Sequence, residues 1–239
     1  MTRRELVIDA SPQRSPEWFR ARLGRLTGSR AADMLATIKS GEAAARRDYR
    51  LQLVCELLTG QPQESGFVND AMQRGIDLEP MALGAYEALT GTLAQTVGFV
   101  SWADLMVGCS VDGRIGDFEG ILELKCPKSA THLEYLRSPT VPTRYLPQIT
   151  HNLWVTGAAW CDFLSYDDRF PAPLQTVLRR VRREDVDFDA YATAALKFLA
   201  EVDAEEQMIR AMVPAQSVEE ESDAESKQSA DHGPLGQGR

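Results

Sequence analysis

The chain has 239 residues, of which 44% are hydrophobic and 26% charged, an average globular composition that excludes a largely disordered or membrane-embedded protein. This length suits one full domain or two small ones, and we expect one. The formal net charge of −9 argues against a surface coated with lysines for nucleic-acid binding. The charge is uneven, because residues 1–50 hold 11 Lys and Arg against 6 Asp and Glu.

The N-terminal residues and the cysteines both favour a cytoplasmic location. Arginines near the N-terminus are not followed by the apolar stretch of a signal peptide, and no later stretch is long enough to cross a membrane. The cysteines are widely spaced without a C-x-x-C pair, and with only three histidines beside them they do not suggest a zinc site. We expect reduced, mostly buried thiols at Cys55, Cys109, Cys126 and Cys161.

Residues 16–35 predict a helical turn, a break at Gly24 and a second helix capped by Thr27 or Ser29. The start of the second helix, near Gly28, would present unpaired N–H groups and a partial positive charge, which suits an anion. Arginines lie close by, at positions 20, 22, 25 and 30. The segment therefore predicts a phosphate-binding site.

Two amphipathic helices are predicted next in the chain. Residues 41–60 have apolar side chains at helical spacing, with Gly60 where a C-terminal cap would stand. Residues 69–89 form a second helix, interrupted or bent near Gly75 and Pro80 and closed by Gly91. Glu79 lies beside that irregularity.

The centre of the chain changes from helical to strand periodicity. Three short segments, residues 93–102, 104–113 and 118–127, predict three antiparallel strands. Helices follow at 129–137 and 143–156, then a strand at 158–167 and a last helix at 188–212. The fold class is α/β (α+β), with a mixed central sheet flanked by helices.

The C-terminal residues differ in composition from the rest of the chain. Residues 215–239 are acidic, rich in serine and almost free of apolar side chains, so they cannot bury enough surface to order themselves. We predict a disordered tail at 215–239 and a single domain at 1–214.

A cluster of charged residues in the predicted strands could bind a metal ion. Residues two apart in a strand share a face, so Glu123 and Lys125 project together. If the preceding strand pairs as a hairpin centred near Asp117 and Phe118, Asp112 lies opposite Glu123. Two carboxylates held together can share a cation, and oxygen ligands favour Mg²⁺ or Mn²⁺.

The same residues also allow an ordinary structural interpretation. An E-x-K ion pair on an exposed strand is a common surface pattern, and an aspartate before glycine is common in turns. By spacing alone, this alternative is favoured over a metal site.

Several segments together resemble the lambda exonuclease and YqaJ-like viral recombinase family, which has the PD-(D/E)xK restriction-endonuclease-like fold. The core of the resemblance is S-V-D-G at residues 110–113 followed by L-E-L-K-C-P at 122–127. Other segments match in the same order: W-F-R-A-R-L-G-R-L-T-G-S at 18–29, R-G-I-D-L-E at 74–79, and Y-L-P-Q and L-W-V-T-G within 145–157. The resemblance spans about residues 15–170.

The resemblance implies a Mg²⁺-dependent 5′-to-3′ exonuclease that degrades one strand of linear double-stranded DNA, with Mn²⁺ as an alternative ion and two ions per active site. The residues it implies are the metal ligands Asp112, Glu123 and the Leu124 carbonyl, the catalytic Lys125, Glu79 acting through water, and Gln148 facing the site. Lys125 would orient the nucleophile and stabilise charge on the scissile phosphate, although a role as base stays open.

The resemblance also implies a pocket for a DNA 5′-phosphate, formed by Arg22, Ser29 and Ser110. Without the resemblance, Arg22 would be interpreted as an ordinary surface arginine and Glu79 as a solvated helix residue. It further implies a ring-shaped homotrimer, a phage or prophage origin, and a single-strand annealing protein as partner in recombination. Two other functions remain possible for such a chain: an endonuclease of the same fold, or a non-catalytic DNA-end-binding module.

Overall fold

The computed structural model describes residues 4–63 and 69–212. The described residues form eight strands: β1 (Leu6–Asp9), β2 (Leu26–Thr27), β3 (Phe99–Trp102), β4 (Val107–Cys109), β5 (Gly113–Ile115), β6 (Gly120–Lys125), β7 (Trp160–Tyr166) and β8 (Thr176–Arg182). They also form seven α-helices: α1 (Pro16–Arg22), α2 (Ala31–Met34), α3 (Ala44–Thr59), α4 (Asp70–Thr90), α5 (Ser129–Arg137), α6 (Leu146–Thr156) and α7 (Phe188–Arg210). The predicted tail at 215–239 lies outside the described residues.

The strands form two mixed four-stranded sheets, which together with the helices confirm the predicted α/β (α+β) class with mixed strand directions. The first sheet has the order β1-β3-β4-β2, and only β2 and β4 pair in parallel. The second sheet has the order β5-β6-β7-β8, with β6 and β7 parallel and both outer pairs antiparallel. Helices α5 and α6 lie between β6 and β7 in the chain, as a parallel connection requires.

The middle of the second sheet is buried on both faces. On one face, Leu122 and Leu124 of β6 pack with Leu78 and Ala82 of α4. On the other face, Ile121 belongs to the larger cluster, which includes residues of α3, α6 and α7. Alternate residues of β6 therefore enter two different apolar layers, and Glu123 lies on the same face as Ile121.

Several predicted elements are confirmed with nearly the same bounds. Helix α3 ends at Gly60, whose φ of 64° places it in the left-handed region that glycine favours. Helix α5, strand β7 and helix α7 also agree with the predicted segments. Residues 143–145 form one 3₁₀ turn before α6, so the predicted helix at 143–156 is present with a tighter start.

Other predictions require correction. Where three antiparallel strands were predicted, the structure has four. The segment at 104–113 contains β4 of the first sheet and, after the chain crosses over at Ser110, the first residue of β5 in the second sheet. Helix α4 is continuous, with Pro80 in its middle and Asn69 and Gly91 as its caps. Strands β1, β2 and β8 were not predicted; β2 has only two residues, and β8 contains three arginines within seven residues.

The cysteines are less uniformly buried than expected. Cys109 and Cys161 are buried, Cys126 is half-buried and Cys55 is exposed, and all four are free thiols. Among residues 4–63 and 69–212, no helix is long and apolar enough to span a membrane.

Candidate active site

The hairpin formed by β5 and β6 brings the two predicted carboxylates together. Gly113 pairs with Leu122, and the Asp112 N–H donates to the Leu122 carbonyl at 3.1 Å. This register places Asp112 beside Glu123, as the sequence predicted. The tight connection includes Phe118 at a φ of 60°, an unusual value for a residue with a side chain.

The Asp112 carboxylate lies at the open edge of β6. Its Oδ2 accepts the Leu124 N–H at 2.5 Å, beyond the point where β5 pairs with β6. Burial, and then the negative charge of Glu123, raise the pKa of Asp112 to about 7, while Lys125 and the Leu124 N–H act in the opposite direction. Burial and a second carboxylate therefore make the charged form of Asp112 costly.

Glu123 is almost completely buried, with 1% of its surface exposed. One carboxylate oxygen, Oε1, accepts a hydrogen bond from Lys125 Nζ at 2.5 Å, and Oε2 accepts one from Asn152 Nδ2 at 3.3 Å. The alternative interpretation, an E-x-K ion pair on an exposed strand, is therefore wrong. A buried carboxylate is costly unless it is paired, and here the pairing groups come from two different elements.

Lys125 is held as a cation between the carboxylates and an aromatic ring. Burial alone would lower its pKa, but Glu123 and Asp112 outweigh that effect and raise it above the ordinary value. Its Nζ lies 5.4 Å from the centre of the Tyr145 ring, within the range of a cation–π contact. The geometry favours a charge-stabilising lysine over a basic one.

The oxygen donors at this edge fit a magnesium-type ion better than zinc. In a strand, the N–H and C=O of one residue point to the same side, so the Leu124 carbonyl shares the open edge with the Asp112 carboxylate. Within the described part of the chain, no group of three His, Cys, Asp or Glu could hold a metal. Mg²⁺ takes one or two carboxylates and completes its shell with water and phosphate, so this donor set suits it.

Glu79 faces the same region from helix α4. It forms an ion pair with Arg14, with Arg14 Nη2 at 2.7 Å from Glu79 Oε1. Glu79, Asp112 and Leu124 line one cavity of about 480 Å³. The structure therefore brings Glu79 to the cluster, and Arg14 is a partner that sequence reasoning missed.

Gln148 lies on the face of α6 that is turned toward the cluster. Tyr145, three residues earlier, contacts Lys125, and Asn152, four residues later, contacts Glu123. Residues three and four apart on a helix share a face. Gln148 is half-buried between these two contacts, as expected for a residue facing the site.

The three predicted phosphate-binding residues converge around Trp18. The Arg22 guanidinium stacks on the Trp18 ring at 4.1 Å, and the indole N–H donates to Ser110 Oγ at 2.9 Å. Arg22 Nη2 lies 3.4 Å from Ser29 Oγ. Arg22 is 8% exposed and Ser29 is exposed, so the serine lies at the mouth and the arginine behind it.

This pocket lies close to the carboxylates. The buried Cys109 thiol lies near both Glu123 and Arg22. Burial is the main cause that raises the pKa of this thiol, Glu123 raises it further, and Arg22 lowers it. The predicted helix start at Gly28 is present, as a 3₁₀ turn over residues 28–30 that leads into the short helix α2. Thr27 precedes this turn but its side chain makes no capping bond, so the expected cap is absent.

Sequence reasoning missed Asn152, Trp18 and Arg14. Asn152 carried a usable signal, because it lies one helical turn after Gln148 and so on the same face. No local sequence signal identified Trp18 or Arg14, since Trp18 contacts Ser110, 92 residues away in the chain, and Arg14 contacts Glu79, 65 residues away.

Comparisons with known proteins identify relatives of this chain. Residues 17–159 match the YqaJ-like viral recombinase domain. The crystal structure of an alkaline exonuclease, LHK-Exo, from Laribacter hongkongensis is 38% identical, with a TM-score of 0.75, and the match covers 83% of this chain and 97% of that one. The same values hold for LHK-Exo in complex with dAMP.

A more distant similarity extends to the fold alone. A phage-related exonuclease from Haemophilus somnus 129PT is 12% identical, with a TM-score of 0.57, covering 79% of this chain and 96% of that one. A search of curated proteins found no match.

Proposed function

Because this chain belongs to the YqaJ-like viral recombinase family, we propose that it is a metal-dependent exonuclease that degrades one strand of linear double-stranded DNA from a 5′-phosphorylated end. The chain has the restriction-endonuclease-like fold. Degradation in the 5′-to-3′ direction would expose a 3′ single strand for recombination by strand annealing.

The observation that carries the proposal is the cluster of Asp112, Glu123 and Lys125 at the end of β6. Two carboxylates and an ammonium group converge there, where simple surface pairing would have left them in solvent. A buried cluster with shifted pKa values in a cleft is typical of a functional site. The similarity to LHK-Exo, an alkaline exonuclease, supports nuclease chemistry at this cluster.

The residues that would hold magnesium are Asp112, Glu123 and the Leu124 carbonyl, with Glu79 acting through water. Bound Mg²⁺ would supply an acidified water and neutralise phosphate charge. The closeness of Asp112 to Glu123, which after burial raises the pKa of Asp112, supports a cation there, because a cation relieves the repulsion between the two carboxylates. Mn²⁺ has similar ligand preferences.

Each remaining side chain has a task that its position supports. The Lys125 ammonium would bind the scissile phosphate and stabilise the negative charge that develops on it. Gln148, on the same helix face as the Glu123 contact, would orient the attacking water. Arg22, Ser29 and Ser110 would bind the terminal 5′-phosphate, so that the first phosphodiester bond lies at the carboxylates.

The proposal includes a ring-shaped homotrimer and a single-strand annealing protein that receives the exposed strand. A trimer would enclose DNA and reconcile the net charge of −9 with DNA binding, if basic groups line its channel. Size-exclusion chromatography with light scattering tests the assembly, with an expected mass three times the 26.5 kDa of one chain.

Three DNA substrates test the activity, the end requirement and the metal together. They are 5′-phosphorylated linear duplex, 5′-hydroxyl linear duplex and closed circular duplex, each incubated with Mg²⁺ or with a chelator. We expect rapid loss of the phosphorylated linear DNA in Mg²⁺, slower loss of the hydroxyl form and no cutting of circles. Cleaved circles would indicate an endonuclease, and end binding without degradation would indicate a non-catalytic module.

A further inference from the structure

Asn152 connects Glu123 to the turn that carries Ser29. The Asn152 side chain projects from α6 with 1% of the residue exposed. Its Nδ2 donates to Glu123 Oε2 at 3.3 Å. Its other end, Oδ1, is buried without a hydrogen-bond partner and faces Gly28.

Chemistry determines which end of the amide faces Glu123. A carboxylate can only accept hydrogen bonds, so the NH₂ group must point to it and the carbonyl oxygen must point away. Glu123 Oε1 is already bonded to Lys125. Asn152 is therefore the group that fixes the second oxygen of a buried carboxylate.

Gly28 leaves the space that the Asn152 carbonyl occupies. A Cβ placed on Gly28 would lie 2.2 Å from Asn152 Oδ1, far closer than two such atoms can approach. The backbone of Gly28 does not have a positive φ, so its lack of a side chain matters for this contact and not for its conformation. Gly28 thus confines Asn152 against Glu123.

We propose that Asn152 is a positioning residue for metal binding: it holds Glu123 in the ligating orientation, and the turn at Gly28 holds Asn152. This inference rests on the proposed function, because it assumes that Glu123 binds the metal. Groups that orient a metal ligand without touching the ion commonly change affinity by about 10- to 100-fold when removed. Ser29 follows Gly28, so the same contact ties the candidate phosphate pocket to the metal ligand.

Direct Mn²⁺ binding, measured by electron paramagnetic resonance without DNA, gives a readout that does not depend on catalysis. In Asn152→Ala and Asn152→Leu, which both remove the donor to Glu123, we expect Mn²⁺ affinity to fall by about 10- to 100-fold. Nuclease assays should show a matching rise in the Mg²⁺ concentration for half-maximal activity, with much of the rate recovered at high Mg²⁺. Thr156→Val is the matched control, since Thr156 bonds the Asn152 backbone carbonyl one turn farther along α6, and it should bind Mn²⁺ like the wild type.

Gly28→Ala tests the contact from its other side. The added methyl group must displace Asn152, so this variant should also lose Mn²⁺ affinity while Asn152 itself is intact. In an Asn152→Ala background the space is free, and Gly28→Ala should then have little further effect. This non-additivity is the signature of a direct contact, and it persists even if each single variant is less stable.

Two results would overturn the inference: wild-type Mn²⁺ affinity in Asn152→Ala, or a Gly28→Ala loss that is the same in both backgrounds. Failure of the proposed function looks different. A wild-type protein that binds Mn²⁺ but degrades no DNA would remove the nuclease and leave the Asn152 effect measurable. A wild type that binds no Mn²⁺ would overturn both.

Discussion

The charged residues of the site interact with one another. Glu123 is buried, and Lys125 and Asn152 each bind one of its oxygens. Asp112 stays close enough to Glu123 that burial and the second charge raise its pKa to about 7. A bound cation would relieve the repulsion between these two carboxylates.

Lys125→Ala should abolish degradation of linear DNA in Mg²⁺ while leaving DNA-end binding largely intact. Loss of one charge-stabilising donor typically slows a reaction by at least about 10²-fold, and the end-binding residues lie elsewhere. Rates on 5′-phosphorylated duplex and a gel-shift assay in Ca²⁺ measure the two properties. Lys197→Ala, an exposed lysine of α7, serves as the control, and near-wild-type activity in Lys125→Ala would refute the mechanism.

His151 should make the fold sensitive to mild acid. It is fully buried between the Gly108 carbonyl and the Tyr191 hydroxyl, and burial lowers its pKa to about 4. In the unfolded chain its pKa is about 6.5, so below that pH the unfolded state takes up a proton that the folded state refuses. His151 therefore does not change the free energy of unfolding above pH 6.5, and it lowers that free energy progressively as the pH falls from 6.5 toward 4.

The expected loss from His151 between pH 7 and pH 5 is about 2 kcal/mol. Urea unfolding of the wild type and of His151→Gln at both pH values measures it, because the variant lacks the titrating ring. The variant should lose less stability on acidification, even if it is less stable at pH 7. Equal losses in both proteins would mean that His151 does not contribute.

At the scale of elements, α4 and α6 carry site residues to the edge of β6, and glycines set where such helices end. Gly84 lies inside α4 and Gly91 terminates it, and a Cβ at either position would meet nothing within 4 Å. They differ in backbone conformation, because only Gly91 has a positive φ, of 67°.

Alanine at these two glycines should therefore have opposite effects on the free energy of unfolding. Gly84→Ala should raise it by about 0.5–1 kcal/mol, since alanine favours the helix. Gly91→Ala should lower it by about 1 kcal/mol, because a side chain disfavours the left-handed region. Urea denaturation measures both, and effects of the same sign would contradict the argument from backbone conformation.

At the scale of the whole molecule, the acidic C-terminal residues and the proposed DNA substrate have opposing requirements. Residues 215–239 hold 6 acidic and 2 basic side chains, almost half of the net charge of −9. Negative charge near a DNA-binding surface weakens association, most strongly at low salt.

Truncation after Pro214 should leave the melting temperature unchanged and strengthen DNA-end binding at low salt. The first expectation follows from the predicted lack of order in the tail, and the second from removing a net charge of −4. Thermal denaturation and salt titrations of DNA binding measure them. A lower melting temperature would show instead that these residues pack on the domain.

The local pattern of the chain was enough to predict many elements. Helical spacing with capping glycines predicted α3 and its end at Gly60, and alternation with a turn predicted the hairpin that places Asp112 beside Glu123. These features depend on contacts between residues close in sequence, which local preferences control. The division into two sheets was not predictable in this way, because nothing local distinguishes β4 from β5.

The sequence by itself determined the chemistry available to this protein: two carboxylates, a lysine and a set of segments similar to one family. Tertiary structure decided that these groups are buried together and not displayed on an exposed strand. Packing of α4 and α6 on opposite faces of β6 buried Glu123 and brought Asn152 to it across 29 residues. Such contacts arise from packing between distant segments, so local sequence patterns alone do not specify them.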